Sequence, residues 1–538
     1  MNSKPKLGID RSIFWPSVII LVLVSIPFAL LEGTDWDAGA VLNNIFNVIV
    51  QNFGWGYMWY ALLIFAAGIY FAFSKYGSVV MGDPNEKPKY TLFEYFSLLV
   101  AMAIGATVIR TGMMQWVTIY MEPPHGIEPQ SIEALMWSQP YSMFLWTVLP
   151  FSMFVMTGPA IAYMVNVRKK PTVRISEVCR VIFGDRFTEG FGGKVVDILF
   201  LVSIIAGSAT FVGFGTPIIV STVAYMMNSE PTFPLIIVVT IIWIAAFTIS
   251  CYLGMEKGLK VLSVFNMKLA AVFGLFFIIL GPSVFILNHM TDSIGFLIRH
   301  YVDFAFYSKS LGVAPDFMYN FTVFWYAYIA TWALLHGVYA ARVSRGRTVK
   351  EMILTYMIAP MFLTILATGI LGGLSIERYL TGAVDIPAIT AAAGGGGAGM
   401  VAAIPHVLAT LPLAPVVFVA FIFVAMVFLT TTMDSTTYTI AMYSSADDVG
   451  NEDPPKSVRL ITGVVIGAIA LIMLNIGGLA PLEVMSGLMG IPIIFLQFIT
   501  VYAAKKMMDQ DKAWIHNVRP EKAVAMNAKL LDEKSAKA

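Results

Sequence analysis

Residues Leu98 to Met121 read LLVAMAIGATVIRTGMMQWVTIYM, a stretch suited to lipid with one cation, Arg110, near its middle. An arginine at the centre of a spanning helix costs roughly 2.5 to 3.5 kcal/mol on insertion scales, so it is expected to face a protein interior or a water-filled path. Gly105 and Gly112 weaken the helix around it, and the hydroxyls of Thr107 and Thr111 compete for its backbone. A breakable helix that carries a buried charge predicts a binding site at mid-membrane depth.

The remainder of the chain is written for the same solvent. Of its 538 residues 58% are hydrophobic and 12% charged, with mean hydropathy +0.77, which excludes a soluble globular domain and predicts an all-α polytopic membrane protein. A net charge of +1 without a basic tract argues against a nucleic-acid surface. The cysteines, Cys179 and Cys251, are too few for a disulfide framework and are expected to be reduced and structural. The apolar run from Phe14 to Leu31 is long enough to span and lacks a small-residue cleavage site, so it reads as a retained first helix.

Apolar segments of spanning length begin near Ile13, Gly54, Thr91, Met143, Val195, Phe233, Leu262, Phe321, Met352, Leu413, Val458 and Leu482, which predicts about twelve helices. With the N-terminus inside, Lys4 and Lys6, then Lys75, Lys87 and Lys89, and then Arg168, Lys169, Lys170 and Arg174 fall on the cytoplasmic side. Lys257 and Lys260, then Arg342, Arg345, Arg347 and Lys350, and finally Lys505 and Lys506 join them. The alternate segments, such as Glu122 to Gln139, are acidic or neutral, so both termini are expected in the cytoplasm of a cell that holds the chain in its inner membrane. Two stretches stand apart. Asn288 to Lys309 mixes apolar side chains with His289, Asp292, Arg299, His300 and Asp303 and reads as an external amphipathic interfacial helix. Thr390 to Ala403, with Gly394 to Gly397, reads as a flexible external loop.

Three short motifs are more specific. Ala341 to Thr348 reads ARVSRGRT after an aromatic-rich helix, Gly254 to Ser263 reads GMEKGLKVLS, and Asp447 to Pro455 lies downstream. Together with Pro123-Pro124-His125-Gly126-Ile127-Glu128-Pro129, they give the chain a resemblance to the betaine/choline/carnitine transporter family, from the first helix to Lys506. That resemblance implies twelve transmembrane helices: two extra N-terminal helices within 1–90, and two inverted five-helix repeats over 91–288 and 319–506. The external amphipathic helix and loop would occupy 289–318, and 507–538 would form a cytoplasmic tail. It further implies a homotrimer, and a substrate site near the midplane where the third helix unwinds around Ala101 to Thr107.

The family's substrate cage is a box of aromatic rings, because a quaternary ammonium has no N–H donors and is best held by π faces. Carried over, the helix 4 positions fall on Trp146, Phe151 and Phe154, and the helix 8 positions on Tyr328, Ile329 and Trp332. His336, one turn beyond Trp332, is a further candidate for touching the ligand or for a bond between helices. Sodium-coupled members hold the ion with a hydroxyl pair on helix 10 and carbonyls of unwound helix 3. Here the pair is Thr431 and Thr432, with carbonyls of Ala101, Ile104 and Phe428. Asn266 stands where sodium-independent exchangers place an arginine, which leaves room for a hard cation. For a second sodium site Ser208 matches the family's hydroxyl and Ile204 does not.

Arg110 departs from the family's apolar residue, and its guanidinium fork suits a carboxylate or sulfonate; pairing with Asp434, Glu122 or a carbonyl is the alternative. Three functions follow. The first is a sodium-coupled secondary transporter importing a betaine-type trimethylammonium zwitterion by alternating access. The second keeps the fold and carries a sulfonate, amino acid or other organic anion held by Arg110, or exchanges substrate independently of sodium. The third, an intramembrane enzyme, is disfavoured because no spacing brings Ser, His and Asp together and the six histidines show no zinc-ligand pattern, so no cofactor is expected. The mixed charge of the tail predicts no strong osmotic activation.

Overall fold

The computed structural model describes residues 8–31, 38–105, 107–308, 317–446, 453–477 and 480–520, and these are almost entirely helical. In a bilayer no water satisfies backbone N–H and C=O groups, so apolar runs of this length bond within themselves as helices. Nine helices among the described residues are long and apolar enough to cross a membrane, and ten if the bent pair over Leu92–Ala103 and Val108–Met121 is one span. The first part of the chain supplies α1 (Phe14–Leu31), α2 (Ala38–Phe73), α3 (Leu92–Ala103), α4 (Thr107–Met121), α5 (Ile132–Phe144) and α6 (Val148–Val155). Then come α7 (Phe191–Met226), α8 (Phe233–Leu253), α9 (Lys260–Leu280) and α10 (Ser283–Arg299). The last part adds α11 (Phe324–Val343), α12 (Val349–Leu380), α13 (Gly396–Ala409), α14 (Ala414–Tyr443), α15 (Lys456–Gly477) and α16 (Ala480–Gln510).

Burial sorts these helices into a centre and a periphery. The apolar windows of the Ile132–Val167 span and of Phe321–Val343 are 94% buried, whereas that of Met255–Leu280 is 22% buried. The segments containing α5, α6 and α11 therefore form the core, and α9 presents Val272, Leu275 and Ile279 outward, as a lipid-facing helix must.

The stretch that opens the chain's reading breaks as expected. Thr91 and Glu94 close a capping box at the start of α3, which stops at Ala103, and Ile104 is extended at φ −126°, ψ 100°. The α3 and α4 axes meet at 50°. Gly112 plays a different part from the helix-weakening one. It sits within α4, where an added Cβ would lie 3.4 Å from the Thr368 Cα of α12, so it permits close approach of two helices. Trp116, fully buried one turn on, donates to Ser375 Oγ at 2.8 Å and fastens the same pair.

One expectation fails. Thr390 to Ala403 is not a flexible loop: Ile386–Ala392 and α13 are helices, and the glycine run forms the turn between them and the start of α13, with positive φ at Gly394, Gly395 and Gly396. Composition misleads there because small residues in a tightly packed helical hairpin look like a linker. The amphipathic segment is helical and begins earlier than expected, at Ser283. Lys309, residues 447–452 of the third motif and 521–538 of the tail lie outside the described residues. Cys179 and Cys251 are both buried as thiols.

At the end that carries the basic loops, short backbone pairings knit distant segments. Val80 N–H donates to Asn517 O at 2.9 Å, Met81 N–H to Arg347 O at 2.7 Å and Val349 N–H to Val79 O at 2.9 Å. The N-terminal segment is fastened similarly, with Asp10 paired to Arg174 at 2.6 Å. Burial raises the Asp10 carboxyl, but the hydrogen bonds from Ser12 and Arg174 outweigh it and hold the group below its ordinary value.

Candidate functional site

Two helix interruptions meet at the centre. The first is the end of α3 at Ala103. The second falls between α5 and α6, where Trp146 N–H donates to Met143 O at 3.0 Å and Thr147 N–H to Phe144 O at 3.1 Å, a turn that swings Trp146 out of helical register. Beside both runs the unbroken α11, whose residues Trp325, Tyr328, Trp332 and His336 recur at three- and four-residue spacing and share one face.

Between these elements lies a small cavity of about 30 Å³. Trp146, Phe154, Tyr328, Ile329, Trp332 and His336 line it, and so do Gly105 and Thr432. A volume this small has room for no more than a few waters, so a larger ligand requires the wall to open. The rings contact one another edge-on: Trp146 meets Trp325 at 4.8 Å and 68°, and Phe211 meets Trp332 at 5.9 Å and 68°. Trp325 Nε1 donates to Leu145 O at 2.6 Å, which fixes its ring against the α5–α6 turn. Trp332 Nε1 is buried with no hydrogen-bond partner among the described residues. Among the described residues no carboxylate or guanidinium lines the cavity, so these walls offer mainly π faces.

Five of the seven expected substrate residues thus come together: Trp146, Phe154, Tyr328, Trp332 and His336. Phe151 lies behind them, fully buried and packed 6.2 Å from Trp146 and 6.0 Å from Phe154. Arg110 is also buried, with 5% of its surface exposed, and its guanidinium sits 4.4 Å from the centroid of the Phe214 ring on α7. Phe214 in turn meets Tyr328 at 5.7 Å, so Arg110 stands one ring layer outside the cavity wall. Asp434, the pairing alternative for Arg110, accepts instead from Ser250 Oγ on α8. His336 makes the expected bond between helices and also has a place in the cavity wall. It lines the cavity, stacks on Phe154 at 3.8 Å and 11°, and its Nδ1 bonds the Tyr356 hydroxyl of α12.

The residues expected to hold a cation form two hydrogen-bonded groups, Thr432 with Ala101 and Thr431 with Phe428 and Asn266. Where α3 ends, its last carbonyls lose their i+4 donors. Val100 O still keeps its i+4 donor, Ile104 N–H at 2.8 Å, whereas Ala101 O receives the Thr432 hydroxyl at 2.8 Å from α14. The Thr431 hydroxyl donates to Phe428 O at 2.9 Å and accepts from Asn266 Nδ2 of α9 at 2.9 Å. The Asn266 Oδ1 beside it is buried with no hydrogen-bond partner among the described residues, an orphaned acceptor that suits a nearby cation. Neutral hydroxyl and carbonyl oxygens are the donor set a hard monovalent cation takes, so the residues fit sodium. Ile104 lies at the helix end beside this cluster. The second cluster is weaker: Ser208 donates to Ile204 O at 2.6 Å within its own helix.

Two lining residues escaped sequence reading. Trp325 lies one turn before Tyr328 on the same α11 stripe, so helical periodicity alone could have found it. Phe211 comes from α7, and no local pattern marks it. Its ring fills the space where a side chain on Gly105 would stand, so glycine is needed there for α3 and α7 to approach.

A solved structure of a Na+-coupled sialic acid symporter, in a substrate-bound outward-open state, is similar at 13% identity over 83% of this chain and 86% of that one, with a TM-score of 0.44. The family model described as BCCT, betaine/carnitine/choline family transporter, matches residues 12–513, so the chain belongs to this family of membrane transporters.

Proposed function

We propose that this transporter carries a small zwitterion with a trimethylammonium group, driven by a sodium gradient and working by alternating access. The observation that carries the reading is the central cavity walled by Trp146, Trp325, Tyr328 and Trp332, with no charged side chain among the described residues of its lining. A methylated ammonium loses hydration on entering such a site and regains attraction from ring faces, worth about 2 kcal/mol when desolvated. The oxygen cluster of Thr431, Thr432, Ala101 and Phe428 would hold sodium next to it, because Thr432 belongs to both. Binding of the ion would replace the bond between Thr432 and Ala101 and so act on the end of α3, which also borders the substrate through Ala103 and Gly105. Twelve spans, with the basic end in the cytoplasm, complete this reading.

The place of Arg110 against Phe214, outside the cavity lining, supports a zwitterion over an organic anion. The test is uptake of labelled glycine betaine, carnitine, choline and taurine into proteoliposomes, with and without an inward sodium gradient. Sodium-driven uptake of a trimethylammonium zwitterion is expected. Uptake of taurine alone would transfer the role to Arg110, and exchange indifferent to sodium would remove the cation site.

A further inference from the structure

A cleft of about 900 Å³ lies on the flank where α3, α4, α9, α12 and α14 meet. Phe93, Phe96, Val108, Phe273, Phe362 and Leu363 are typical of its lining, and Lys268 is the one charged residue among the described residues of its wall. Lys268 is exposed, and none of the ion pairs among the described residues includes it. Two cations nearer the start of α9 are already neutralised, since Lys260 pairs with Glu256 at 2.9 Å and Glu94 at 3.6 Å, and Lys89 pairs with Glu256 at 2.9 Å, whereas Lys257 is exposed at the basic end. At 1.5 Å per residue Lys268 lies roughly 12 Å along α9 from Lys260, too deep for its ammonium to be solvated without reaching back toward the basic end.

An ammonium in an apolar recess open to lipid is costly unless an anion meets it. The complement must therefore be amphiphilic, with hydrocarbon to fill the cleft and one negative group at its basic end. We propose that this cleft is a binding site for an anionic phospholipid of the leaflet at the basic end, whose acyl chain lies between α3, α9 and α12 and whose phosphate pairs with Lys268. The site is separate from the substrate cavity. It lies on the outer side of the oxygen cluster, since Ile104, Asn266 and Phe428 line the cleft as well.

Native mass spectrometry of the full-length transporter, with phosphatidylglycerol and phosphatidylcholine of identical chains, tests the proposal. The wild type is expected to retain phosphatidylglycerol about fivefold better, the effect of one lysine near an anionic surface. Lys268→Ala should erase that preference, Lys268→Arg should keep it, and Ala271→Trp, which fills the cleft, should weaken retention of both lipids. Equal retention of the two lipids by the wild type, or an undiminished preference in folded Lys268→Ala, would overturn the assignment. So would a change of oligomeric state in Lys268→Ala with lipid preference intact, since the cleft would then face a second copy.

Discussion

Replacing Thr432 by valine removes one hydroxyl and keeps the shape of the side chain. The residue is 3% exposed and its hydroxyl is bonded to Ala101 O at 2.8 Å. Loss of that bond leaves a buried carbonyl unpaired, for a stability cost of about 1 kcal/mol. The effect on sodium is expected to be larger. Thr432 is one of four proposed oxygens with Thr431, Ala101 and Phe428, and an uncharged group bonded to a charge contributes about 1.5 to 3 kcal/mol. At about 1.4 kcal/mol per tenfold, half-saturating sodium should rise about 10- to 100-fold, with little change in transport at saturating sodium. The assay is initial uptake in proteoliposomes at fixed substrate over a sodium titration. Thr439→Val is the control, because its hydroxyl donates to Ser435 O within the same helix at 2.8 Å. An unchanged sodium midpoint in a folded Thr432→Val protein would refute the cation site, and an equal shift in Thr439→Val would mean that the effect was general loosening of α14.

Trp332→Leu should raise the half-saturating concentration of a trimethylammonium substrate about 5- to 30-fold through loss of one π face, with Trp332→Phe intermediate; substrate titrations check this. Gly105→Ala should place a methyl in the Phe211 ring and reduce uptake at least tenfold, with an overpacking cost of about 1 to 3 kcal/mol, and Phe211→Ala in the same chain should restore part of it. Arg110→Ala should lower thermal stability by loss of the buried contact with Phe214 while leaving the half-saturating betaine concentration within about threefold, as measured by melting and by uptake. Asp10→Asn should cost up to about 1 kcal/mol at pH 7 and expose the N-terminal segment to protease. Because the Asp10 carboxyl is held below its ordinary value, the contribution is full above about pH 4 and lost as the pH falls through the lower folded value; proteolysis rates across acid pH should show wild type converging on the variant.

Hydropathy is a local property, and so the membrane class and most helix positions were legible in the chain, whereas the break at Ala101 to Thr107 was placed by the resemblance. Continuous apolar runs leave the backbone no partner in lipid except itself. The lining of the central cavity was legible only by resemblance, and only α11, whose stripe of Trp325, Tyr328, Trp332 and His336 is written at helical spacing, carried its own signal. Tertiary structure decided the remainder. Phe211 and Gly105 define one wall because they occupy the same space, although 106 positions separate them. Tertiary structure also chose the ring of Phe214 as the neighbour of Arg110, turned Gly112 from a helix breaker into a packing contact, and folded the glycine run near Gly394 into a helical turn. A residue's type limits what it can touch; what it does touch depends on which distant helix the packed bilayer interior brings against it.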